Sequence, residues 1–111
     1  MIVVKIEKDN CKYRKIKILG HAMYDDYGKD IVCSAVSTLM ETLANGLTEV
    51  VKAEVKVIVD EQIPHLSVTL NEADKEKCKY AQILMESVLL GIKGVAQEFS
   101  KFIKIKEKQN D

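Results

Sequence analysis

The sequence has no net charge, no long apolar run and no even number of cysteines. Each absence argues against a class of protein. Seventeen basic residues balance seventeen acidic ones, so the chain as a whole has no field that attracts nucleic acid or an anionic membrane. Its apolar runs fall far short of the roughly 20 residues that cross a bilayer. The first residues alternate charged with apolar side chains, unlike a signal peptide. We therefore expect a cytoplasmic protein with no membrane partner and no direct nucleic-acid partner.

Cysteine and histidine are scarce and scattered. The three cysteines lie far apart at Cys11, Cys33 and Cys78, a spacing that suits reduced thiols better than a disulfide framework. No C-x-x-C or H-x-x-x-H pair is present, so we expect no metal site and no cofactor. A thiol-based redox or metal-responsive protein would need a resolving cysteine or clustered ligands, which this spacing does not offer.

The length and the hydrophobic pattern indicate one small domain. A chain of 111 residues is long enough for one core, so we expect a single domain over residues 1–111. Apolar and polar side chains alternate with the period of a half-buried strand over four segments and a short last one. Two longer segments have apolar residues at three- and four-residue steps, which predicts amphipathic helices. The predicted strands cover residues 2–7, 13–19, 55–59, 66–70 and 102–105, and the predicted helices cover 31–51 and 72–99.

The predicted order β-β-α-β-β-α-β indicates an α+β fold. Hairpin connections favour a mainly antiparallel sheet of about five strands, and both helices need the same sheet face to cover their apolar stripes. The first helix passes through Asn45 and Gly46 in phase, at a cost of roughly 1 kcal/mol for glycine. Asn71 is the predicted N-cap of the second helix. The charged residues 107–111 are expected to form a tail that frays.

One stretch, GHAMYDDYGKDIVCSAVS from Gly20 to Ser37, brings reactive residue types together. A ten-residue segment from Gly20 to Lys29 connects a strand to a helix, so the strand end and the helix start can lie side by side. With Asp30 as the N-cap, Cys33 falls in the first helical turn, where unpaired N–H groups and the helix dipole favour a thiolate. His21 could then lie beside the thiol and lower its pKa further.

Each of these residues also has a structural explanation. Cys33 fits the first turn as a small apolar filler, and His21 fits a loop histidine bonded to backbone. Asp30 is explained by capping alone. Gly20 and Gly28 bracket the loop and suit either hinges or simple turns. From the residues alone, the nucleophilic and structural interpretations both stay open.

The same stretch resembles the signature G-H-A-x-Y-x-x-x-G-x-D-I-V-C-A-A-V-S of the ribosomal-processing cysteine protease family known as Prp. Ser34 stands where the signature has alanine. The likeness continues at Asn45 to Leu47 and in GIKGVAQEFSKFIKIK from Gly91 onward. It implies a homodimeric bacterial enzyme whose substrate is a ribosomal protein precursor, from which it removes the N-terminal extension.

The resemblance also implies roles for individual residues. Cys33 corresponds to the nucleophile and His21 to the base of a Cys-His thiolate mechanism that passes through an acyl-enzyme. First-turn N–H groups, that of Cys33 among them, are expected to stabilise the oxyanion. The supporting signature residues are Asp30, Ser34 and Ser37, and the expected substrate loop includes Gly20, Ala22, Tyr24, Tyr27 and Gly28. The alternative function is a non-catalytic ribosome- or RNA-associated binding module, although the sequence shows no basic stripe or RNA-binding strand motif.

Overall fold

The computed structural model describes residues 1–22, 24–26, 30–60 and 65–110. Its elements follow the predicted order and confirm the α+β class. The strands are β1 (Ile2–Asp9), β2 (Lys12–Leu19), β3 (Val55–Asp60), β4 (His65–Leu70) and β5 (Ile103–Asn110), and the helices are α1 (Ile31–Asn45) and α2 (Lys75–Glu98). Neither helix in these ranges is long and apolar enough to cross a membrane. Ile63 and Pro64, which predict a turn between the third and fourth strands, lie outside the described residues.

The five strands form one sheet in the order β3-β4-β2-β1-β5. Three of the four pairings are antiparallel, and β5 runs parallel to β1. Parallel strands must be joined by a long crossover connection, and α2 belongs to the chain that connects β1 to β5. The parallel pairing extends from Ile2 opposite Ile103 to Asp9 opposite Asn110. Residues 107–110 therefore belong to the sheet, where the sequence predicts a frayed tail, because their backbone has a partner strand from the far end of the chain.

The two faces of the sheet differ as the alternation predicts. One face presents buried aliphatic side chains from β1, β2, β4 and β5, and both helices pack their buried stripes against it. The opposite face carries the polar members of each strand. The core consists chiefly of Ile2, Val4, Ile6, Ile16, Val68 and Ile103 from the sheet, Val32, Val36, Met40 and Leu43 from α1, and Met85, Leu89 and Ile92 from α2.

The first helix continues past Asn45 as the pattern predicts, but its last turn is not α-helical. Gly46–Val50 forms a π-helical turn that continues the helix and buries Leu47. Gly46 has ordinary helical angles. A Cβ atom there would lie 2.7 Å from a methyl group of Leu84, so close approach of α2 explains the glycine.

The predicted N-cap of α2 is wrong. The helix begins after Asp74, whose carboxylate accepts a hydrogen bond from the backbone N–H of Lys77 at 2.9 Å. Glu72 uses its own carboxylate to accept from the N–H groups of Glu54 at 2.7 Å and Asp74 at 3.0 Å. These bonds keep residues 71–73 in a connecting segment, so the helix starts later than the pattern from Asn71 indicates.

Candidate active site

Asp30 caps α1, as predicted. Its Oδ1 atom accepts hydrogen bonds from the backbone N–H groups of Val32 and Cys33, each at 3.0 Å. The side chain is only 6% exposed. The cap therefore fixes Cys33 in the first turn of the helix, at the border of the core.

The end of β2 reaches this same point. The backbone N–H of Ala22 donates a hydrogen bond to the Sγ atom of Cys33 at 3.2 Å. His21 immediately precedes Ala22, and its side chain is exposed. The strand end and the helix start thus lie side by side, as predicted, and the imidazole belongs to the neighbour of the residue that contacts the sulfur.

Gly20 makes this approach possible. Its φ of +85° lies in the left-handed region, which residues with a side chain rarely adopt. An ideal Cβ atom at this position would lie 2.6 Å from the carbonyl oxygen of Met1. The chain therefore turns at residue 20 in a way that only glycine permits, and the turn directs residues 21 and 22 toward the helix start.

Asp30 also ties the loop to the helix. Its Oδ2 atom accepts a hydrogen bond from the backbone N–H of Tyr24 at 3.0 Å. The Tyr24 ring packs edge-to-face against Phe102 and Phe99, with ring centroids 5.1 and 5.5 Å away. One carboxylate and one aromatic cluster thus hold the described part of the loop. Tyr27 and Gly28, the other predicted loop residues, lie outside the described residues.

The electrostatics correct one expectation. Burial raises the pKa of the Cys33 thiol, and the nearby Asp30 charge raises it further, which outweighs the hydrogen bond from the Ala22 N–H. The pKa of Asp30 itself is lowered, because the N–H donors of Cys33 and Tyr24 outweigh the burial that raises it. The sequence predicts a thiolate in the first turn, but here a carboxylate occupies the anion site at the helix start and disfavours a second negative charge.

The expected oxyanion donors are engaged as well. Two first-turn N–H groups, those of Val32 and Cys33, point to Asp30 Oδ1. The N–H of Ser34 bonds to the Asp30 carbonyl at 3.1 Å. The N–H groups of Val32 and Cys33 can reach a substrate oxyanion only after the Asp30 carboxylate has moved.

Ser34 and Ser37, the two serines of the matched stretch, make no hydrogen bond to the Cys33 thiol in the described part of the chain. Ser34 is exposed and Ser37 is half-buried. Sequence reasoning missed Phe99 and Phe102, which hold Tyr24. Their pattern indicates a helix stripe and a strand, and no local signal links them to a loop that is 75 or more residues earlier in the chain. In the part of the chain that the structure describes, no cluster of three or more histidine, cysteine or acidic side chains could hold a metal ion.

Comparison with known proteins decides the family. The family model described as cysteine protease Prp matches residues 1–104. The chain belongs to the Prp family of cysteine proteases. The Prp protein of Staphylococcus aureus, named a ribosomal processing cysteine protease, is 23% identical over 109 residues, which cover 97% of this chain and all of that protein.

Solved structures agree with the Prp fold. A crystal structure of Prp from S. aureus with a covalently linked product peptide matches with a TM-score of 0.88 at 22% identity, over 97% of this chain and 100% of that one. Another S. aureus Prp structure, with a substrate peptide, matches with a TM-score of 0.83 at 23% identity and the same coverage. The protein SMU.848 from Streptococcus mutans has a TM-score of 0.86 at 30% identity, over 99% of this chain and 96% of that one.

The pKa shift of Cys33 has a measurable consequence for alkylation. In the substrate-free protein, the rate of Cys33 modification by iodoacetamide should rise with a midpoint above that of the same residue in the urea-unfolded chain, because burial and Asp30 disfavour the thiolate. In Asp30→Asn the amide oxygen can still cap the helix, but the negative charge is gone, so the midpoint should fall. Peptide mass spectrometry after alkylation at several pH values separates Cys33 from the other two cysteines. A folded-state midpoint below the unfolded one, or no change in Asp30→Asn, would contradict this electrostatic description.

Proposed function

We propose that this protein is an endopeptidase that removes the N-terminal extension of a large-subunit ribosomal protein. The Cys33 thiol is the nucleophile and the His21 imidazole is the base. The observation that carries the proposal is the hydrogen bond from Ala22 to the Cys33 sulfur. It brings the residue that follows His21 against the thiol at the start of α1, in a chain of a cysteine protease family.

The covalent steps follow from these two groups. His21 takes the proton from the Cys33 thiol, and the sulfur attacks the carbonyl carbon of the scissile peptide bond. The tetrahedral intermediate collapses, the C–N bond breaks, and His21 returns the proton to the leaving amine. Water, deprotonated by His21, then attacks the thioester; the C–S bond breaks, the acid product is released, and His21 returns the proton to the Cys33 sulfur. The covalently linked product peptide in the S. aureus Prp crystal is consistent with such an intermediate in that relative.

Asp30 controls when this chemistry begins. In the substrate-free protein its carboxylate occupies the N–H groups of the first turn and raises the pKa of the thiol. An entering peptide that displaces Tyr24 removes the bond to Asp30 Oδ2, and in this proposal the carboxylate then also releases the Val32 and Cys33 N–H groups. The first-turn donors then become free for the oxyanion, and one such donor is worth roughly 3 kcal/mol in measured hydrolases.

The segment that follows β2 is the substrate loop in this proposal. Ala22 and Tyr24 anchor its first part, Gly20 sets its direction, and Tyr27 and Gly28 complete it. Ser34 and Ser37 lie in α1 close to Cys33 in the chain, and in this proposal they support the active site at the start of that helix. The substrate is a peptide segment, as in the S. aureus Prp structure with a bound substrate peptide.

We also propose that the enzyme is a cytoplasmic homodimer. The cytoplasm keeps thiols such as Cys33 reduced, and all three cysteines are free.

The exposed face of α2 supports the dimer. Three of its apolar residues are each at least half exposed and share one face of the helix: Tyr80, Ile83 and Leu90. Such a stripe is suited to burial against a second copy. Light scattering at micromolar concentration should give twice the 12.5 kDa chain mass; a monomer mass would refute the dimer.

The cleavage itself is tested with the ribosomal protein that carries the extension. The purified protein is incubated with this substrate, and intact-mass spectrometry follows the product. We expect a single cut that separates the extension from the mature N-terminus. An intact substrate after prolonged incubation with excess protein, or cuts at many unrelated sites, would refute the proposed function.

A further inference from the structure

The polar face of the sheet collects positive charge from the whole length of the chain. In the strand pairing, Lys5 of β1 lies between Lys17 of β2 and Lys106 of β5. The next row along the strands places Glu7 between Lys15 and Lys108. We call this surface the basic face; its lysines are Lys5, Lys12, Lys15, Lys17, Lys56, Lys104, Lys106 and Lys108.

The row of Lys17, Lys5 and Lys106 is costly for the fold. Neighbouring strands lie about 4.8 Å apart, and like charges directly opposite each other destabilise a sheet. The two ion pairs of the described residues, Lys8 with Glu107 and Arg14 with Asp9, include no lysine of the basic face. Within the described chain, neither ion pair joins a carboxylate to this row, which is the arrangement expected where an external anion supplies the missing charge.

Few negative groups share this face. Among the described residues it carries Glu7, Asp9 and Asp60. Glu7 accepts a hydrogen bond from the amide of Asn110 at 3.1 Å, and Asp9 forms an ion pair with Arg14 at 3.1 Å. The hydroxyl of Ser67, which lies beside Lys17 in the same row, is buried without a hydrogen-bond partner. The described strands thus give this face eight lysines against three carboxylates, in a protein whose total charge is zero.

We propose that the basic face binds the phosphate backbone of RNA. Successive lysines of this face on β5 stand about 6.7 Å apart, twice the rise of a strand residue. The neighbouring strands β1 and β2 carry further lysines beside them. Such a flat grid suits an extended polyanion better than a single phosphate group. The described residues of the face include no phenylalanine, tyrosine or tryptophan, and the Nε2 atom of its one imidazole, His65, is buried. Bases therefore have little to stack on, and binding is independent of sequence.

The alternatives fit this surface less well. An anionic membrane is usually held by apolar or aromatic anchors beside the basic residues, and Ile58 is the only exposed large apolar residue that the described part of the face offers. An acidic protein partner is tested separately, with polyglutamate. Because both helices pack on the opposite face, RNA on the basic face and a peptide at Cys33 would not compete. The proposal therefore does not depend on the protease activity.

The test compares two triple variants of equal charge. Fluorescence anisotropy measures binding of a labelled 16-base-pair RNA duplex at 50 mM salt to the wild type, to K5Q/K17Q/K106Q and to the control K75Q/K79Q/K93Q, whose lysines are exposed on α2. We expect K5Q/K17Q/K106Q, the row variant, to bind the RNA at least 30-fold more weakly than the wild type. The affinity of the control variant should stay within twofold of the wild-type affinity. The logarithm of the binding constant falls with the logarithm of the salt concentration, and the magnitude of that slope should decrease by about 2 to 3 in the row variant only.

Further measurements distinguish RNA from other anionic partners and show whether a variant has lost binding because it is misfolded. The variant K5R/K17R/K106R should retain wild-type binding, and the row variant should unfold at the wild-type temperature or higher, because the repulsion is gone. Equal loss of RNA binding in both Gln variants, or no RNA binding by the wild type, overturns the proposal. Tighter binding to phosphatidylserine vesicles or to polyglutamate than to RNA also overturns it. Loss of binding in the Arg variant, or a row variant that unfolds well below the wild type, would contradict the role of charge.

Discussion

Replacing Cys33 with alanine should reduce cleavage of the extended ribosomal protein to the background level, a loss on the order of a million-fold, as for the nucleophile of a serine protease. No other thiol can substitute for it: Cys11 is exposed in the turn between β1 and β2, and the Cys78 sulfur donates a hydrogen bond to the carbonyl of Glu72 at 3.1 Å. Replacing His21 with alanine should cost about 10²- to 10⁴-fold, the usual contribution of a general base.

The double variant tests whether the two residues act together. If His21 works only through the Cys33 thiol, Cys33→Ala/His21→Ala should be no slower than Cys33→Ala alone, because groups that act as a unit are strongly non-additive. Cys11→Ala and His65→Ala are the matched controls for a thiol and an imidazole elsewhere in the fold, and both should cleave at nearly the wild-type rate. The initial rate of product formation measures each variant. Wild-type activity in Cys33→Ala would refute the assignment of the nucleophile, and unchanged activity in His21→Ala would refute the assignment of the base.

Gly20→Ala should lower the melting temperature by about 10 °C. The backbone at residue 20 has a φ of +85°, which costs a residue with a side chain roughly 1–3 kcal/mol. The new methyl group would also lie 2.6 Å from the Met1 carbonyl oxygen, a rigid backbone atom. In a domain of this size each kcal/mol shifts the melting temperature by roughly 4–8 °C. Cleavage should fall as well, because residues 21 and 22 lose their approach to the sulfur.

Gly94→Ala is the control with the opposite sign. Gly94 is an exposed helical residue of α2, and a Cβ atom there would meet nothing within 4 Å. Alanine is better than glycine in a helix by about 0.5–1 kcal/mol, so this variant should melt a few degrees higher and cleave normally. Differential scanning calorimetry measures both. A Gly20→Ala protein as stable as the wild type would contradict the strained turn.

Much of the fold follows from local patterns. The alternation in residues 2–7 and 13–19 predicts the β1-β2 hairpin, and the spacing from Val32 to Leu43 predicts α1 and its buried stripe. Asp30 is predictable as a cap because the aspartate precedes the first apolar step of the helix. Asn71 misleads the same rule, because Glu72 next to it engages the backbone of Glu54 and delays the start of α2.

Other features depend on which strands become neighbours, which no local pattern reveals. Lys5, Lys17 and Lys106 look like ordinary solvent-facing residues until the parallel pairing of β5 with β1 places them in one row. The packing of Tyr24 on Phe99 and Phe102 depends on the same pairing. The pKa direction of Cys33 is likewise set by burial and by the position of the Asp30 carboxylate, which the helix position alone does not give.

The central claim is that the Cys33 sulfur, held beside Ala22 at the start of α1, forms a covalent bond with the substrate. It is tested most directly by acid-quenching wild-type protein with excess extended ribosomal protein after less than one turnover and mapping adducts by peptide mass spectrometry. We expect the N-terminal fragment of the substrate to be attached to Cys33, and to no other residue, with the adduct absent in Cys33→Ala. Cleavage without an adduct at any time point, or an adduct that persists on Cys11 or Cys78 in Cys33→Ala, would contradict the claim.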